Sequence, residues 1–273
     1  MLDSLTFGFL GGGNMASALI GGLVARGVPA GSIRVVDPSE DARKRLAQAP
    51  GVHALAAPDA AFGASDVIVL AVKPQQFRDA LAPLEALLGD SLIISVAAGI
   101  RLQDMARWLG RTRLVRAMPN TPALAGMGMT GLAAAPGLSE ADRAVASAVA
   151  QAVGQCVWVD NDDQIDAVTA ISGSGPAYVF YFVEAMERAA MEMGLSAEQG
   201  RQLAVETFRG AAALAAESPE PVSLLRERVT SKGGTTHAAL TAMDASGMKE
   251  AFVKAMHAAA ERGREMGAEF GKD

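Results

Sequence analysis

The sequence predicts an α/β chain, with a parallel sheet crossed over by helices and an all-helical part after it. Three observations carry this. Residues 6–24 read as strand, glycine loop and helix in immediate succession. Strand-type and helix-type segments then alternate to about residue 160. From Asp162 onward almost no strand pattern remains. The expected division is a sheet domain over residues 1–160 and a helical domain over residues 161–273.

The first segment justifies itself position by position. Thr6–Leu10 is of strand type, and Leu19, Ile20, Leu23 and Val24 share one side of the helix that follows. Between them Gly11, Gly12, Gly13, Asn14, Met15 and Ala16 spell G-x-G-x-x-A. Gly11 permits the tight turn out of the strand. Gly13, lacking a side chain, lets a backbone approach a pyrophosphate. Ala16 lets helix and strand pack closely. Free N–H groups and the helix dipole then suit a dinucleotide. A glycine triplet alone is weak evidence, but the strand before and the helix after are as the Rossmann-type reading requires.

Arg26-Gly27 reads as the helix stop, and Ile33–Asp37 as the second strand. Asp37 lies roughly 20 residues past the glycines, where a carboxylate can hold the adenosine ribose. That favours NAD over NADP. Yet Ser39, Arg43 and Lys44 stand nearby and could hold a 2′-phosphate, and Asp37-Pro38-Ser39 also reads as a strand end with a helix N-cap. Cofactor choice stays open at this point. Residues 39–49 form a charged helix, residues 52–55 a short strand and residues 66–72 a buried parallel-type strand ended by Lys73-Pro74. A helix over 75–88, a strand over 91–96 ended by Ala97-Ala98-Gly99, a helix over 102–109 and a strand over 113–117 follow. Residues 129–134 and 155–159 are two more strands around a helix over 140–153. Ligands of such sheets collect at the carboxyl ends of strands, so Lys73-Pro74, Ala97-Ala98-Gly99 and Met118–Thr121 join the glycine loop at one rim. Lys73 either touches cofactor or substrate near the nicotinamide or simply ends its strand.

The helical part is read as a long stretch over 166–193, a helix over 196–216 with Ser196 and Gln199 as capping box, a short helix over 222–229, a helix from Thr236 to about 245 and a last helix over 248–269. Tyr178–Val183 is apolar all round, which marks a helix buried on every side, either in a dimer of interleaved helices or in an intramolecular core. Gly173, Gly175 and Pro176 must break the long stretch, because two backbones pass closely there or because the segment faces a ligand. Ser231-Lys232-Gly233-Gly234-Thr235-Thr236 precedes a helix and exposes several N–H donors, which suits a carboxylate or an ordinary helix start.

The totals narrow the classes. The 273 residues are half hydrophobic with few aromatics, which suits much helix and a real core. A net charge of −6 and the lack of a basic run argue against nucleic-acid or membrane-surface partners. The N-terminus lacks signal-peptide character, and no apolar stretch reaches the roughly 18–20 residues of a span, so a cytoplasmic protein is expected. Cys156 stands alone, which excludes an intramolecular disulfide, and His53, His237 and His257 show no metal spacing; no metal is expected.

Together these stretches resemble the pyrroline-5-carboxylate reductase family. The resemblance rests on Phe9–Met15, Ala71–Pro74, Ser95–Gly99, Arg116–Pro122, Asp166–Thr169, Ser172–Tyr178 and Val229–Thr236, and it covers nearly the whole chain in order. It implies an oxidoreductase that reduces the cyclic imine 1-pyrroline-5-carboxylate to L-proline, the last step of proline biosynthesis, with NADPH and often NADH. It also implies an interlocked homodimer and a larger ring of dimers. By similarity, Gly11, Gly12, Gly13, Asn14, Met15, Asp37, Ser39, Ala71, Val72, Lys73, Pro74, Val96, Ala97, Ala98 and Asp162 would hold the dinucleotide. Asn120, Ser231, Gly233, Gly234, Thr235 and Thr236 would hold the substrate, with Thr236 as the catalytic group near the imine nitrogen. Lys232 departs from the proline usual in the family and adds a positive charge to the loop. The lack of an acid–base dyad fits imine chemistry, because a cyclic imine is basic enough to arrive protonated. Two rivals are weighed against this. A β-hydroxyacid dehydrogenase needs a lysine on the long helix, and residues 166–193 contain none. A dinucleotide sensor would bind and turn over nothing.

Overall fold

A computed structural model describes residues 2–46, 51–84 and 86–272. One eight-stranded sheet is built from β1 (Phe7–Leu10), β2 (Ile33–Val36), β3 (His53–Leu55), β4 (Val67–Leu70), β5 (Leu92–Ser95), β6 (Leu114–Met118), β7 (Gly128–Ala134) and β8 (Gly154–Trp158). Its order is β3-β2-β1-β4-β5-β6-β7-β8. The chain therefore builds outward from β1 in one direction and returns to extend the other, which leaves a switch point between β1 and β4. Parallel pairing runs from β3 through to β6.

The expectation of an all-parallel sheet is corrected at one pair. β7 runs antiparallel to β6, with Val115 opposite Ala134 and Met118 opposite Gly131. The link between them is a single 3-10 turn at Thr121–Ala125, too short for the crossover that parallel neighbours need. β8 then pairs parallel with β7 after the crossover through α6 (Glu140–Gln151).

Both faces of the sheet are covered. One face packs on α1 (Asn14–Ala25) and α6 through Phe7, Phe9, Leu19, Leu23 and Val149. The other packs Ile68, Leu70 and Ile93 against Phe62 of α3 (Ala60–Gly63), Phe77 of α4 (Phe77–Leu81) and Met105 of α5 (Leu102–Leu109). Val24, expected on the buried side of α1, is instead 39% exposed. The charged helix α2 (Glu40–Leu46) begins as expected, and its predicted end at 47–49 lies outside the described residues. The continuous helix expected over 75–88 is broken into a 3-10 turn at Pro74–Gln76, α4, and another 3-10 turn at Ala82–Leu84. Pro83 brings no N–H and disfavours helix in the residue before it.

The carboxyl half holds α7 (Asp162–Val168), α8 (Gly175–Glu192), α9 (Ala197–Glu217), α10 (Val222–Arg228), α11 (Thr235–Ala245) and α12 (Met248–Phe270). The long stretch expected over 166–193 is divided by a π-turn at Thr169–Gly173, closed by the Ser174 N–H donating to the Thr169 carbonyl at 2.8 Å. A Cβ on Gly173 would come within 2.7 Å of the Met118 side chain rather than of a second backbone, and one on Gly175 would meet nothing within 4 Å.

Strands end near residue 160 as expected, but the compact units divide elsewhere. Unit 1 runs to Ser174 and includes the chain again from Ala259, and unit 2 is Gly175–Ala258. The reason is a buried ion cluster. Arg116 of β6 is 1% exposed and lies between Asp162 (Nη1 to Oδ1, 2.7 Å) and Asp166 (Nη2 to Oδ1, 2.8 Å) of α7. Arg101 donates to the other Asp166 oxygen at 3.1 Å. A buried guanidinium needs these carboxylates, so α7 belongs to the sheet.

Unit 2 is thinly cored. Tyr178 and Phe182 pack against Phe252 with ring centroids 5.9 and 5.8 Å apart. Phe180 and Tyr181 of α8 stay 61% and 69% exposed. The helix expected to be buried on every side is thus uncovered within one chain, because its neighbours are too few to close over it.

Two stability tests follow. Arg116→Met takes a cation from the buried Asp166 and the half-buried Asp162 and should cost about 3 kcal/mol in denaturant unfolding. Arg113 of β6 forks onto Asp142 of α6 (2.7 and 3.1 Å) and holds that carboxyl below its ordinary range, with a Ser139 hydrogen bond helping. A depressed folded-state value gives stability that is present above about pH 4 and lost as pH falls through the folded value. Asp142→Asn should therefore be less stable than the wild type near neutrality, with the gap closing in acid. A gap that ignores pH would sink this account.

Candidate functional site

The carboxyl ends of β1, β2 and β4 meet around the glycine turn. Gly11 has φ of +97°, and a Cβ there would lie 2.6 Å from the Ala71 carbonyl oxygen, so only glycine is accommodated. Its N–H donates to the Val36 carbonyl at 2.8 Å, while the Ala71 N–H donates to Leu10 at 2.8 Å. Gly13 is the N-cap of α1 with no side-chain cap, and a Cβ on it would meet nothing within 4 Å. The protein itself does not require glycine there. Ala16 is fully buried against the strand. Asn14 is exposed and Met15 half-buried on the first turn of α1.

Asp37 ends its strand in the structural role read for it. Its Oδ2 accepts from the Gly12 N–H and its Oδ1 from the Ser39 N–H, each at 2.8 Å. Ser39 is exposed, and its hydroxyl accepts from the Ala42 N–H at 3.3 Å as the cap of α2. A cavity of about 510 Å³ opens above this turn. Its wall includes Gly11, Gly13, Asp37, Ala71, Val72 and Lys73. The far side is Ala56, Ala57 and Pro58 after β3, with Gln76, Asp79 and Pro83. The sequence reading missed this far wall, since small residues in a loop carry no signal of their own. Lys73 shares the cavity with Asp37. Among the described residues its wall does not reach Val96, Ala97, Ala98 or Asn120.

Those other residues lie at the ends of β5 and β6. Val96 and Ala98 are half-buried and Ala97 is buried, ahead of a glycine turn at Gly99 (φ +74°). Asn120 is committed within the fold. Its Oδ1 accepts from the Met129 N–H at 2.9 Å, and its Nδ2 donates to the carbonyl and hydroxyl of Ser172 at 3.1 and 3.2 Å. Asp162, half-buried, is engaged within the fold. Besides Arg116 its carboxylate accepts from the Leu102 N–H at 3.1 Å, at the start of α5. Arg116 itself was missed, because one arginine in a strand gives no hint that it is buried.

The second candidate lies in unit 2. Gly233 has φ of +75°, and the Gly234 N–H donates to the Ser231 carbonyl at 3.0 Å, which folds Ser231–Gly234 into a turn ahead of α11. Gly234 is the N-cap of α11 without a side-chain cap, so the first N–H groups of that helix lack a local acceptor. Ser231, Lys232, Gly233 and Thr235 are exposed, with Gly234 and Thr236 half-buried. Among the described residues no group of three or more His, Cys, Asp or Glu is placed for a metal ion, and no helix is long and apolar enough to cross a membrane.

A parallel sheet with a glycine turn at its switch point and a helical unit after it defines an NAD(P)-dependent oxidoreductase of Rossmann type. Residues 6–99 match the model described as NADP oxidoreductase, coenzyme F420-dependent, and residues 162–266 match pyrroline-5-carboxylate reductase dimerisation. The chain is 44% identical to the pyrroline-5-carboxylate reductase of Pseudomonas aeruginosa, over 97% of each. A solved pyrroline-5-carboxylate reductase from Coxiella burnetii superposes with TM-score 0.90 at 38% identity, covering 96% of this chain and 98% of the other. The Plasmodium falciparum pyrroline carboxylate reductase, solved with NADP bound, gives 0.86 at 27% identity, covering 98% and 100%. The chain belongs to the pyrroline-5-carboxylate reductase family. It is an oxidoreductase that uses NAD(P)H, and it oligomerises.

Gly13 offers a clean test of the glycine cradle. Gly13→Val has room and ordinary backbone geometry, so stability should stay within about 0.5 kcal/mol. Dinucleotide affinity, measured by titration, should fall at least roughly tenfold, because the side chain fills the space of the phosphates. Unchanged affinity would remove Gly13 from the site.

Proposed function

We propose that this chain reduces 1-pyrroline-5-carboxylate to L-proline with the residues described above. The observation that carries the reading is that each unit, taken by itself, has an uncapped helix start behind a glycine turn. Each offers backbone N–H groups and a positive dipole end to an anion. The first suits a pyrophosphate and the second a carboxylate.

When bound, the reduced nicotinamide supplies a hydride to the C=N carbon. Gly11, Gly12, Gly13, Asn14 and Met15 hold the pyrophosphate. Asp37 and the Ala71–Pro74 turn, Lys73 included, hold the adenosine end. Val96, Ala97 and Ala98 shape the nicotinamide end. Ser231, Gly233, Gly234, Thr235 and Thr236 hold the substrate carboxylate, which limits the orientations open to the ring. Asn120 acts through Ser172 and Met129 as a positioning residue, and Asp162 and Ser39 hold the walls rather than the ligand. Thr236 bonds the imine nitrogen through its hydroxyl and keeps the protonated imine in register. The product needs one hydride at carbon, and its nitrogen keeps the proton that the imine brought.

The assembly is a homodimer formed through the helical part, with dimers joined into a larger ring, in the cytoplasm. The exposed apolar side chains of α8 and α9, such as Phe180, Tyr181 and Leu214, support an interface there.

The test is substrate-dependent oxidation of NADH and NADPH by the purified chain, followed by loss of reduced-nicotinamide absorbance. Thr236→Ala should lower kcat by roughly 10²-fold, and Thr236→Ser should restore most of it. Full kcat and KM in Thr236→Ala would remove the hydroxyl from the chemistry. Dinucleotide binding without turnover would favour a sensor.

A further inference from the structure

We propose that Asp37 makes this chain select the dinucleotide that lacks a 2′-phosphate, so that NADH is its preferred reductant. The inference rests on the reading of the 510 Å³ cavity as the dinucleotide site. Three observations carry it beyond the bare presence of an acidic residue after β2.

The carboxylate is held in place. Its two oxygens accept from the Gly12 and Ser39 N–H groups at 2.8 Å each, so it cannot swing aside without stranding a donor in the glycine loop itself. It is also not saturated. A carboxylate offers about four acceptor positions, and two are used, which leaves one on each oxygen for ribose hydroxyls.

The cations that could reverse the preference are engaged elsewhere. Arg43 turns its Nη1 onto the Asp37 and Pro38 carbonyls, both at 2.8 Å. Lys44 pairs with Glu40 at 2.8 Å. Lys73 is the one cation among the described residues of the cavity wall, which also carries Asp37 and Asp79. A 2′-phosphate there would meet a fixed negative charge at the position of the hydroxyl it replaces, and like charges in contact are strongly disfavoured.

The experiment is equilibrium titration of the full chain with NADH and with NADPH, at low and high salt, read by nucleotide fluorescence. NADH should bind on the order of tenfold more tightly at low salt, and the gap should narrow as salt screens the repulsion. Asp37→Ser should tighten NADPH and weaken NADH. Equal or tighter NADPH binding by the wild type overturns the proposal whatever the variant does. So does a preference that survives Asp37→Ser in a protein with the wild-type melting profile. Failure of both nucleotides to bind would overturn the cavity's assignment as well, and so is distinct from a lost preference.

Discussion

A guanidinium in the core must bring its counter-charges with it. Arg116 sits on a strand that is otherwise apolar, and its burial obliges Asp162 and Asp166 to pack where they do. Both lie on the first helix after the sheet, so that helix becomes part of the sheet unit. Its carboxylates also receive the start of α5 and Arg101. The π-turn that follows is then delivered to the end of β6, where Ser172 meets Asn120. The rim beside the glycine loop is shaped by charge pairing several residues away from any ligand.

The glycine loop shows a second economy. One aspartate ends β2, receives an N–H of the loop and receives the turn into α2. One side chain there ties the loop, the strand end and the next helix together. The same economy appears at Gly11 and Gly13, of which the first answers to the fold and the second to open space.

Much of this was legible in the sequence where the signal is local. The strand, glycine loop and helix of residues 6–24, the capping box at Ser196 and Gln199, and the apolar strand before Lys73 each announce themselves within a few residues. Pairing across the sheet does not. Nothing in Gly128–Ala134 says that it runs antiparallel to β6, because direction follows from the length of the link and from partners far away in sequence. Arg116 reads as a strand residue, and only the fold reveals two aspartates beside it. The helix expected over 75–88 stops short of Pro83, which interrupts helix by its missing N–H. The bonds that Asn120 and Asp162 make within the fold were not legible either, since sequence reports position and not orientation.

Unit 1 is written in two pieces, with Gly175–Ala258 inserted between them. The returning piece is no appendage. Phe270 and Met266 close over Gly99, and Gly267 lies against Arg101 so tightly that a Cβ would sit 2.6 Å from its side chain. During synthesis the sheet can form its parallel pairs as they emerge from the ribosome, but the groove beside Gly99 and Arg101 stays uncovered until the last turns of α12 arrive. The turn at the end of β5 is thus completed by residues that follow the whole inserted unit in sequence, and a nascent chain stalled before α12 would carry the glycine turn at Gly11 without the side chains that pack on Gly99.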